Sequence, residues 1–293
     1  MAILAASVMG CSDSNNSSTS SHTPTATATP FAGINQTYIL QSGVRQLTLD
    51  GLTGTYQVTN FSGVKQFPVS LTQTQITVGG LLLPYLATTD LFQASGLMGM
   101  ASGAVSKDPT QFPATYNTLS GANFAGQLSI AGSGAYSWCR TSNFASSSAC
   151  ADGSTPQSGQ IVVKSAGFAF GGLPGTYAIY HQANASALFP VDDRGLALRA
   201  VTQTQAQLSG TFSETLLAAS ASNYIATVTL APNMISIAGI LNFSGSYGYS
   251  SSNLGAFSFA SSFCRNGTCP GIFNDALGLV YVAQVGNGVF IRP

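Results

Sequence analysis

The chain has 293 residues, enough for one large β-domain or two smaller ones, and nine Lys and Arg balance nine Asp and Glu, so that only 6% of residues are charged. Nucleic acid requires a basic stripe, which three lysines and six scattered arginines cannot supply, so we exclude it as a partner. The longest apolar run, residues 80–86, is interrupted by Pro84 and is far shorter than the roughly 18 residues of a membrane-spanning helix.

The N-terminus carries a short apolar stretch that ends at a cysteine. Residues 2–10 read Ala-Ile-Leu-Ala-Ala-Ser-Val-Met-Gly, and Cys11 follows directly. Over residues 4–11 this segment resembles the end of a bacterial lipoprotein signal peptide, although Met9 stands where a smaller residue is usual and no Lys or Arg precedes it. The resemblance implies acylation of Cys11 and anchoring in the bacterial cell envelope, with the outer membrane favoured and the protein facing the periplasm or the surface. A short apolar start with an incidental cysteine is the alternative.

Residues 12–30 form a compositionally distinct segment of mostly Ser, Thr, Asn, Pro and Ala, without any aromatic residue. Such a segment has too little apolar surface to offset the entropy lost on ordering it. We therefore predict a disordered linker between Cys11 and the folded region.

From Phe31 onward, apolar and polar residues alternate over five to eight positions between Gly, Asn, Ser and Pro, which is typical of strands and turns. We predict an all-β fold, an antiparallel barrel or sandwich, built from two related β-modules over residues 31–200 and 201–293. A single closed barrel or sandwich is the alternative. Helical periodicity is scarce, and only residues 86–94 and 215–222 fit short helices.

A short hairpin motif recurs along the chain. In each copy a Gly-Leu pair leads to a tyrosine, and a second apolar segment that contains phenylalanine follows. Because glycine permits tight turns and proline marks strand ends or edges, we interpret the repeat as architectural. Its three copies are residues 51–56 with 67–69, 172–177 with 189–191 and, more loosely, 278–281 with 289–291.

Four further cysteines follow Cys11, and an even number in an exported chain predicts two disulfides. Three pairings are formally possible. We favour Cys139–Cys150 and Cys264–Cys269, because each pair closes a short loop rich in Ser, Asn and Gly. Zinc binding is the rival interpretation, but neither pair has the CxxC spacing and supporting histidines are lacking, so no metal is expected.

Pairs of aromatic residues are the one indication of a binding surface. Tyr136 and Trp138 are two positions apart, as are Tyr247 and Tyr249, so each pair would share one face of a strand. Aromatic faces can stack on sugars or anchor a protein partner. Core packing is the alternative, which for Trp138 means packing against the neighbouring disulfide.

Residues 236–264 carry a second, fainter likeness. The segment Ser236-Ile-Ala-Gly-Ile-Leu-Asn-Phe-Ser-Gly-Ser-Tyr247, with Cys264 downstream, resembles the small exported META domains. Those domains usually carry Gly-Cys-Asn where this chain has Ile240, Leu241 and Asn242. The likeness covers less than a quarter of the chain, and no function is transferred from it.

Candidate catalytic groups are few. His181 is the one histidine of the β-region, and no G-x-S-x-G motif supplies a nucleophile for it. Asp192 and Asp193 are adjacent, would point to opposite faces of an extended chain, and fit a turn with Arg194 better than a calcium site. The sequence therefore predicts no catalytic residue, no metal and no cofactor.

We expect an exported, lipid-anchored, β-rich envelope protein with a non-catalytic binding or structural role. Its partners would be the membrane, through the lipid, and a glycan or envelope protein. The alternatives are an exported hydrolase with a site assembled around His181, Asp192 and Asp193, and a β-barrel that binds a small apolar ligand.

Overall fold

Strands make up almost all of the regular structure in the computed structural model, which confirms the predicted all-β fold. Within the described residues the strands form two closed eight-stranded antiparallel barrels and one nine-stranded sheet. Residues 32–293 constitute one compact unit. The structure describes residues 30–40, 45–95, 97–106, 108–119, 125–139, 150, 153–164, 167–171, 179–182, 187–190, 196–217, 223–239, 242–249, 254–264, 267–283 and 288–292.

The first barrel is an up-and-down meander, in which each strand pairs with its neighbours in sequence and the last strand returns to the first. Alternate turns therefore lie at opposite ends of the barrel. Its strands are β1 (Gln36–Leu40), β2 (Arg45–Asp50), β3 (Thr53–Asn60), β4 (Gly63–Leu71), β5 (Gln75–Val78), β6 (Leu81–Ala87), β7 (Leu91–Ala94) and β8 (Leu97–Ala101).

The nine-stranded sheet comes next in the chain, and two short 3-10 turns, Ser102–Ala104 and Pro109–Gln111, flank its first strand. Its spatial order is β14-β13-β12-β11-β10-β17-β16-β15-β9. The predicted module of residues 31–200 thus contains both the first barrel and this sheet. The strands are β9 (Val105–Ser106), β10 (Ala114–Leu119), β11 (Ala125–Ile130), β12 (Ala135–Cys139), β13 (Gln157–Lys164), β14 (Gly167–Phe170), β15 (Ile179–Gln182), β16 (Ala187–Pro190) and β17 (Leu196–Arg199).

The final barrel is a second closed meander, preceded by a one-turn helix, α1 (Gln205–Leu208). A capping box starts this helix, because the Thr204 hydroxyl accepts from the Gln207 N–H and the Gln207 side chain accepts from the Thr204 N–H. The strands are β18 (Gly210–Leu217), β19 (Asn223–Ala231), β20 (Met234–Ala238), β21 (Phe243–Tyr249), β22 (Ala256–Ala260), β23 (Thr268–Asn274), β24 (Leu279–Val282) and β25 (Val289–Ile291).

The prediction of helices was wrong for residues 86–94 and for residues 215–217. The first segment holds the end of β6, a turn and β7, and residues 215–217 belong to β18, while residues 218–222 lie outside the described part. All four residues of β7 are buried, as are Phe212 to Thr215 of β18. Strands that are buried on both faces lose the apolar–polar alternation by which a strand is recognised in a sequence.

Side chains fill the interiors of both closed barrels. In the first barrel, Tyr38 and Phe92 lie with ring centroids 5.2 Å apart within a core of Leu, Val and Ile side chains. Aromatic side chains dominate the final barrel. Its fully buried members include Phe212, Phe257, Phe259, Phe273 and Phe290.

A third apolar cluster joins the three sheets from outside the barrels. It combines Leu91 and Met100 of the first barrel, Leu198 of the nine-stranded sheet, and Tyr281 and Ile291 of the final barrel. These strands are therefore buried from solvent on their outer faces as well as on their inner faces. Burial on this scale explains why the region from Ala32 onward forms one compact unit.

Gln93 of β7 inserts its amide into the seam that closes the final barrel, where β18 meets β25. The antiparallel register that pairs Ser213 with Ile291 would continue to Thr215 and Val289. Instead, the Gln93 Nε2 donates to the Val289 carbonyl at 2.5 Å, and its Oε1 accepts from the Thr215 N–H at 3.1 Å. A side chain of the first barrel thus supplies a rung of the final barrel's ladder.

The buried phenol of Tyr38 makes the stability of the fold fall at alkaline pH. Burial, together with smaller contributions from the charges of Tyr85 and Asp90, raises the pKa of its phenol to about 12. In the unfolded chain the phenol ionises near pH 10, so the unfolded state binds fewer protons between about pH 10 and 12. The stability that this group contributes is intact below pH 10 and is lost as the pH rises towards 12.

Between about pH 10 and pH 12, we expect the free energy of unfolding to fall by about 2 kcal/mol less in the Tyr38→Phe variant than in the parent protein. Urea unfolding followed by circular dichroism at several pH values would measure the difference, and the other tyrosines are the same in both proteins. An equal loss in the two proteins would show that Tyr38 ionises without hindrance in the fold.

Both favoured cysteine pairs lie at bonding distance. Cys139 at the end of β12 pairs with Cys150 in the connection to β13, and Cys264 pairs with Cys269 across the turn between β22 and β23. All four residues are buried. The first disulfide therefore ties the end of β12 to the connection that follows it, and the second ties the β22–β23 turn to the start of β23.

The repeated hairpin motif falls on adjacent strands in its first and third copies. In the first copy Tyr56 of β3 lies opposite Phe67 of β4, with ring centroids 6.0 Å apart. In the third copy Tyr281 of β24 lies opposite Val289 of β25. Residues 172–177 of the second copy lie outside the described part, and its later segment contributes Phe189 to β16.

Candidate functional site

A shallow depression of about 430 Å³ lies on the nine-stranded sheet, near one end of the adjacent strands β10, β11 and β12. The β11–β12 hairpin forms part of its wall, closed by a hydrogen bond from the Ala131 N–H to the Ala135 carbonyl. We call it the hydroxyl depression. It is lined by Ala114, Thr115, Ser129, Ile130, Ala131, Ala135, Tyr136 and Ser137.

Hydroxyl side chains form a row across the depression. Thr115 lies opposite Ser129, and Ser129 lies opposite Ser137, so three adjacent strands each contribute one hydroxyl. The Thr115 and Ser129 oxygens are 3.2 Å apart and share a hydrogen bond. The row continues to the exposed Ser158 of β13, which lies opposite Ser137. Neighbouring strands are about 4.8 Å apart, so the row spans roughly 14 Å.

The aromatic side chains of β12 pack beside the depression and alternate along the strand with Ser137. Tyr136 meets Phe170 edge to face at 4.7 Å, and Trp138 lies 5.2 Å from the same ring. The Tyr136 hydroxyl donates to the Gly171 carbonyl at 2.7 Å, and the Trp138 Nε1 donates to Thr118 at 3.1 Å. These contacts fix β12, and with it Ser137, in position.

Tyr136 contributes to the wall of the depression although only 3% of it is exposed. Burial raises the pKa of its phenol, so the hydroxyl stays protonated as a donor. Gly159 makes room for the ring, because a Cβ at that position would lie 3.1 Å from the Tyr136 hydroxyl and 2.6 Å from the Gly171 oxygen. All lining side chains are uncharged, which suits a neutral, hydrogen-bonding ligand.

Tyr247 and Tyr249 belong to the final barrel rather than to this sheet. Tyr247 is 5% exposed and packs edge to face on Phe257 with centroids 5.7 Å apart. Tyr249 is half-buried, and its hydroxyl donates to the Gln203 carbonyl. The two predicted aromatic pairs therefore lie on separate sheets, and only the Tyr136 pair adjoins the depression.

The other predicted positions are described in part or not at all. His181 lies on β15, where its backbone pairs with Ser106 and Leu188. Cys11, Asp192 and Asp193 lie outside the described residues. Lipidation of Cys11 and the hydrolase alternative thus stay predictions.

The described ranges hold neither a cluster of metal ligands nor a membrane-spanning helix. These residues contain no group of three or more His, Cys, Asp and Glu side chains that could hold a metal ion. The helices within the same ranges lack the length and apolarity that a bilayer crossing requires.

Comparison with known proteins finds no protein-family model, no curated protein and no solved structure that matches this chain. The lipoprotein signal at residues 4–11 and the META-domain resemblance of residues 236–264 therefore stay predictions.

Sequence reasoning identified Tyr136 and Trp138 but missed the hydroxyl row. Alternation along β11 and β12 places Ser129 and Ser137 on the face opposite the apolar residues. That they align with Thr115 depends on the register of three strands. A single sequence does not contain that register.

Proposed function

We propose that this chain is an exported, lipid-anchored protein of the bacterial cell envelope that binds a neutral glycan through the hydroxyl depression and performs no chemistry on it. The lipid on Cys11 and the linker of residues 12–30 would hold the β-region at a membrane. The depression would then present its hydroxyl row to envelope or extracellular carbohydrate.

The alignment of Thr115, Ser129 and Ser137 in one depression is the observation that carries this proposal. Hydroxyls both donate and accept hydrogen bonds, so a row of them matches the alternating donors and acceptors of a polyhydroxylated ligand. The volume of about 430 Å³ falls within the size range of small-ligand sites. Since the lining carries no charge, an ionic ligand would gain no counter-ion there.

The packing of the closed barrels supports a site on an outer surface. Both interiors are occupied by side chains, including Tyr38 and Phe92 in the first barrel and Phe257 and Phe273 in the final barrel. An apolar ligand inside either barrel would have to displace these side chains. Binding on an outer face needs no such rearrangement.

The test is to titrate the full chain, carrying Cys11→Ser so that it is soluble, with chitotetraose and maltotetraose by isothermal titration calorimetry. We expect Thr115→Val to weaken binding about fivefold, because valine keeps the shape and removes one hydrogen bond. The matched control is Thr211→Val in the final barrel, which disrupts an equivalent pair, Thr211 with Thr229 at 3.2 Å.

Equal weakening by Thr115→Val and Thr211→Val would move the site away from the depression. Failure of the parent protein to bind either oligosaccharide, or any neutral member of a glycan array, would refute glycan binding altogether.

A further inference from the structure

The hairpin of β3 and β4 projects at one end of the first barrel, where β2 accompanies β3 only as far as Val58, opposite Arg45. β4 pairs with β5 only through Val69, Ser70 and Leu71, so its first six residues, Gly63–Pro68, run on beside β3 alone. At about 3.3 Å per residue these residues extend roughly 20 Å past the last paired position. We call residues 57–66 the finger.

The tip of the finger is a hydrogen-bonded turn with apolar side chains. The Asn60 carboxamide oxygen accepts from both the N–H and the hydroxyl of Ser62, which fixes the two-residue turn. Phe61 in this turn is fully exposed, at 114%, and Val64 is 57% exposed. A fully exposed phenylalanine in a preorganised turn can enter an apolar medium without paying to order the loop.

Two cations lie directly behind this tip. Arg45 of β2 and Lys65 of β4 are the register neighbours of Val58 on either side, so they form a row across three strands. Both side chains are exposed. The row lies about two residues, roughly 7 Å, behind the turn.

The charges of the first barrel are separated between its two ends. From residue 31 to residue 104 the sequence contains four charged residues, Arg45, Asp50, Lys65 and Asp90. Asp50 precedes the β2–β3 turn and Asp90 precedes β7, so both lie at the end opposite the finger. The finger end is therefore cationic and the other end anionic.

We propose that the finger docks the first barrel onto a lipid bilayer with anionic headgroups. Phe61 and Val64 enter the interfacial region, and Arg45 and Lys65 lie at the level of the phosphates. The two acidic residues at the far end reinforce this orientation through repulsion by the anionic surface. This contact is separate from the lipid on Cys11 and from glycan binding.

The chain approaches the first barrel from the end opposite the finger. Gly33 packs on the β2–β3 turn so closely that a Cβ would lie 2.0 Å from the Gly51 oxygen, and the Ile34 N–H donates to that oxygen at 2.9 Å. A bilayer bound to the finger would therefore lie at the end of the barrel opposite residue 33.

The test uses the full chain with Cys11→Ser, so that any vesicle binding comes from the folded surface. Flotation with vesicles of equal parts phosphatidylglycerol and phosphatidylcholine should carry the protein upward, and phosphatidylcholine alone should carry less. We expect Phe61→Ser to lower the partition coefficient at least about tenfold and Lys65→Gln about fivefold. The control Ile225→Ser removes another exposed apolar residue, 49% exposed, from the final barrel and should change nothing.

A Phe61→Trp variant gives the direct readout. Its fluorescence should shift to the blue and be quenched by brominated lipids only in the presence of anionic vesicles, with Trp138 as the common background. A blue shift that grows with protein concentration in the absence of lipid would assign the finger to a second copy of the chain and overturn the proposal. So would equal flotation of the Phe61→Ser and Ile225→Ser variants, or no flotation of the parent protein.

Discussion

Replacing Gln93 by alanine should destabilise the folded chain by about 4 kcal/mol, because the change leaves two buried backbone groups without their partner. Those groups are the Val289 carbonyl and the Thr215 N–H, which the Gln93 amide joins at 2.5 and 3.1 Å. Gln93 is only 2% exposed, so water cannot replace the amide without opening the contact between the barrels. Urea unfolding followed by circular dichroism would measure the loss.

Gln66→Ala is the matched control for this change. Gln66 also engages in a side-chain amide hydrogen bond, to Gln57 at 3.1 Å, but both residues lie on the exposed hairpin. Its removal should alter stability by less than about 0.5 kcal/mol. If Gln93→Ala were equally mild, the β18–β25 ladder would have closed directly between Thr215 and Val289, and the amide would be dispensable.

Gly271→Ala should destabilise the final barrel by about 3 kcal/mol through overpacking. Gly271 lies directly opposite Phe257 across β22 and β23, and the phenyl ring lies over the glycine. A Cβ at residue 271 would lie 2.2 Å from the Phe257 Cζ, far inside any contact that real structures contain. Phe257 is 1% exposed and packs within the apolar cluster of the final barrel, against Phe273 among others.

The same experiment on Gly248 provides the comparison. A Cβ at Gly248 would find its nearest neighbour at 3.8 Å, so Gly248→Ala should be neutral or slightly stabilising. A double variant, Gly271→Ala with Phe257→Leu, should recover part of the loss because leucine vacates the space of the ring. Additive effects of the two changes would mean that the ring and the glycine do not compete for one volume.

The all-β fold could be predicted from the sequence because most strands keep one polar face. β20 is an example, with exposed and buried residues in strict alternation, and β2 shows the same alternation from Leu47 to Asp50. The prediction failed for β7 and β18, where the outer face of one barrel packs against the other. Contacts between sheets are non-local, and no short window of sequence contains them.

Only part of the candidate site was visible in the same way. The spacing of Tyr136 and Trp138 predicted a shared face, and both rings do contact Phe170. Their burial could not be predicted, because it depends on Phe170 of β14, a strand two positions away in the sheet. The finger was also missed, since its length is defined by where β4 stops pairing with β5 rather than by any residue of its own.

The position of Gln93 makes the dependence between the two barrels one-sided. A polypeptide emerges from the ribosome with its N-terminus first, so this amide is in place before β18 and β25 have been synthesised. A chain cut after the first barrel keeps every hydrogen bond of that barrel's own ladder. A fragment that starts at residue 201, in contrast, would have to close its barrel without Gln93. An incompletely closed barrel exposes unpaired strand edges, which pair with other chains and lead to aggregation.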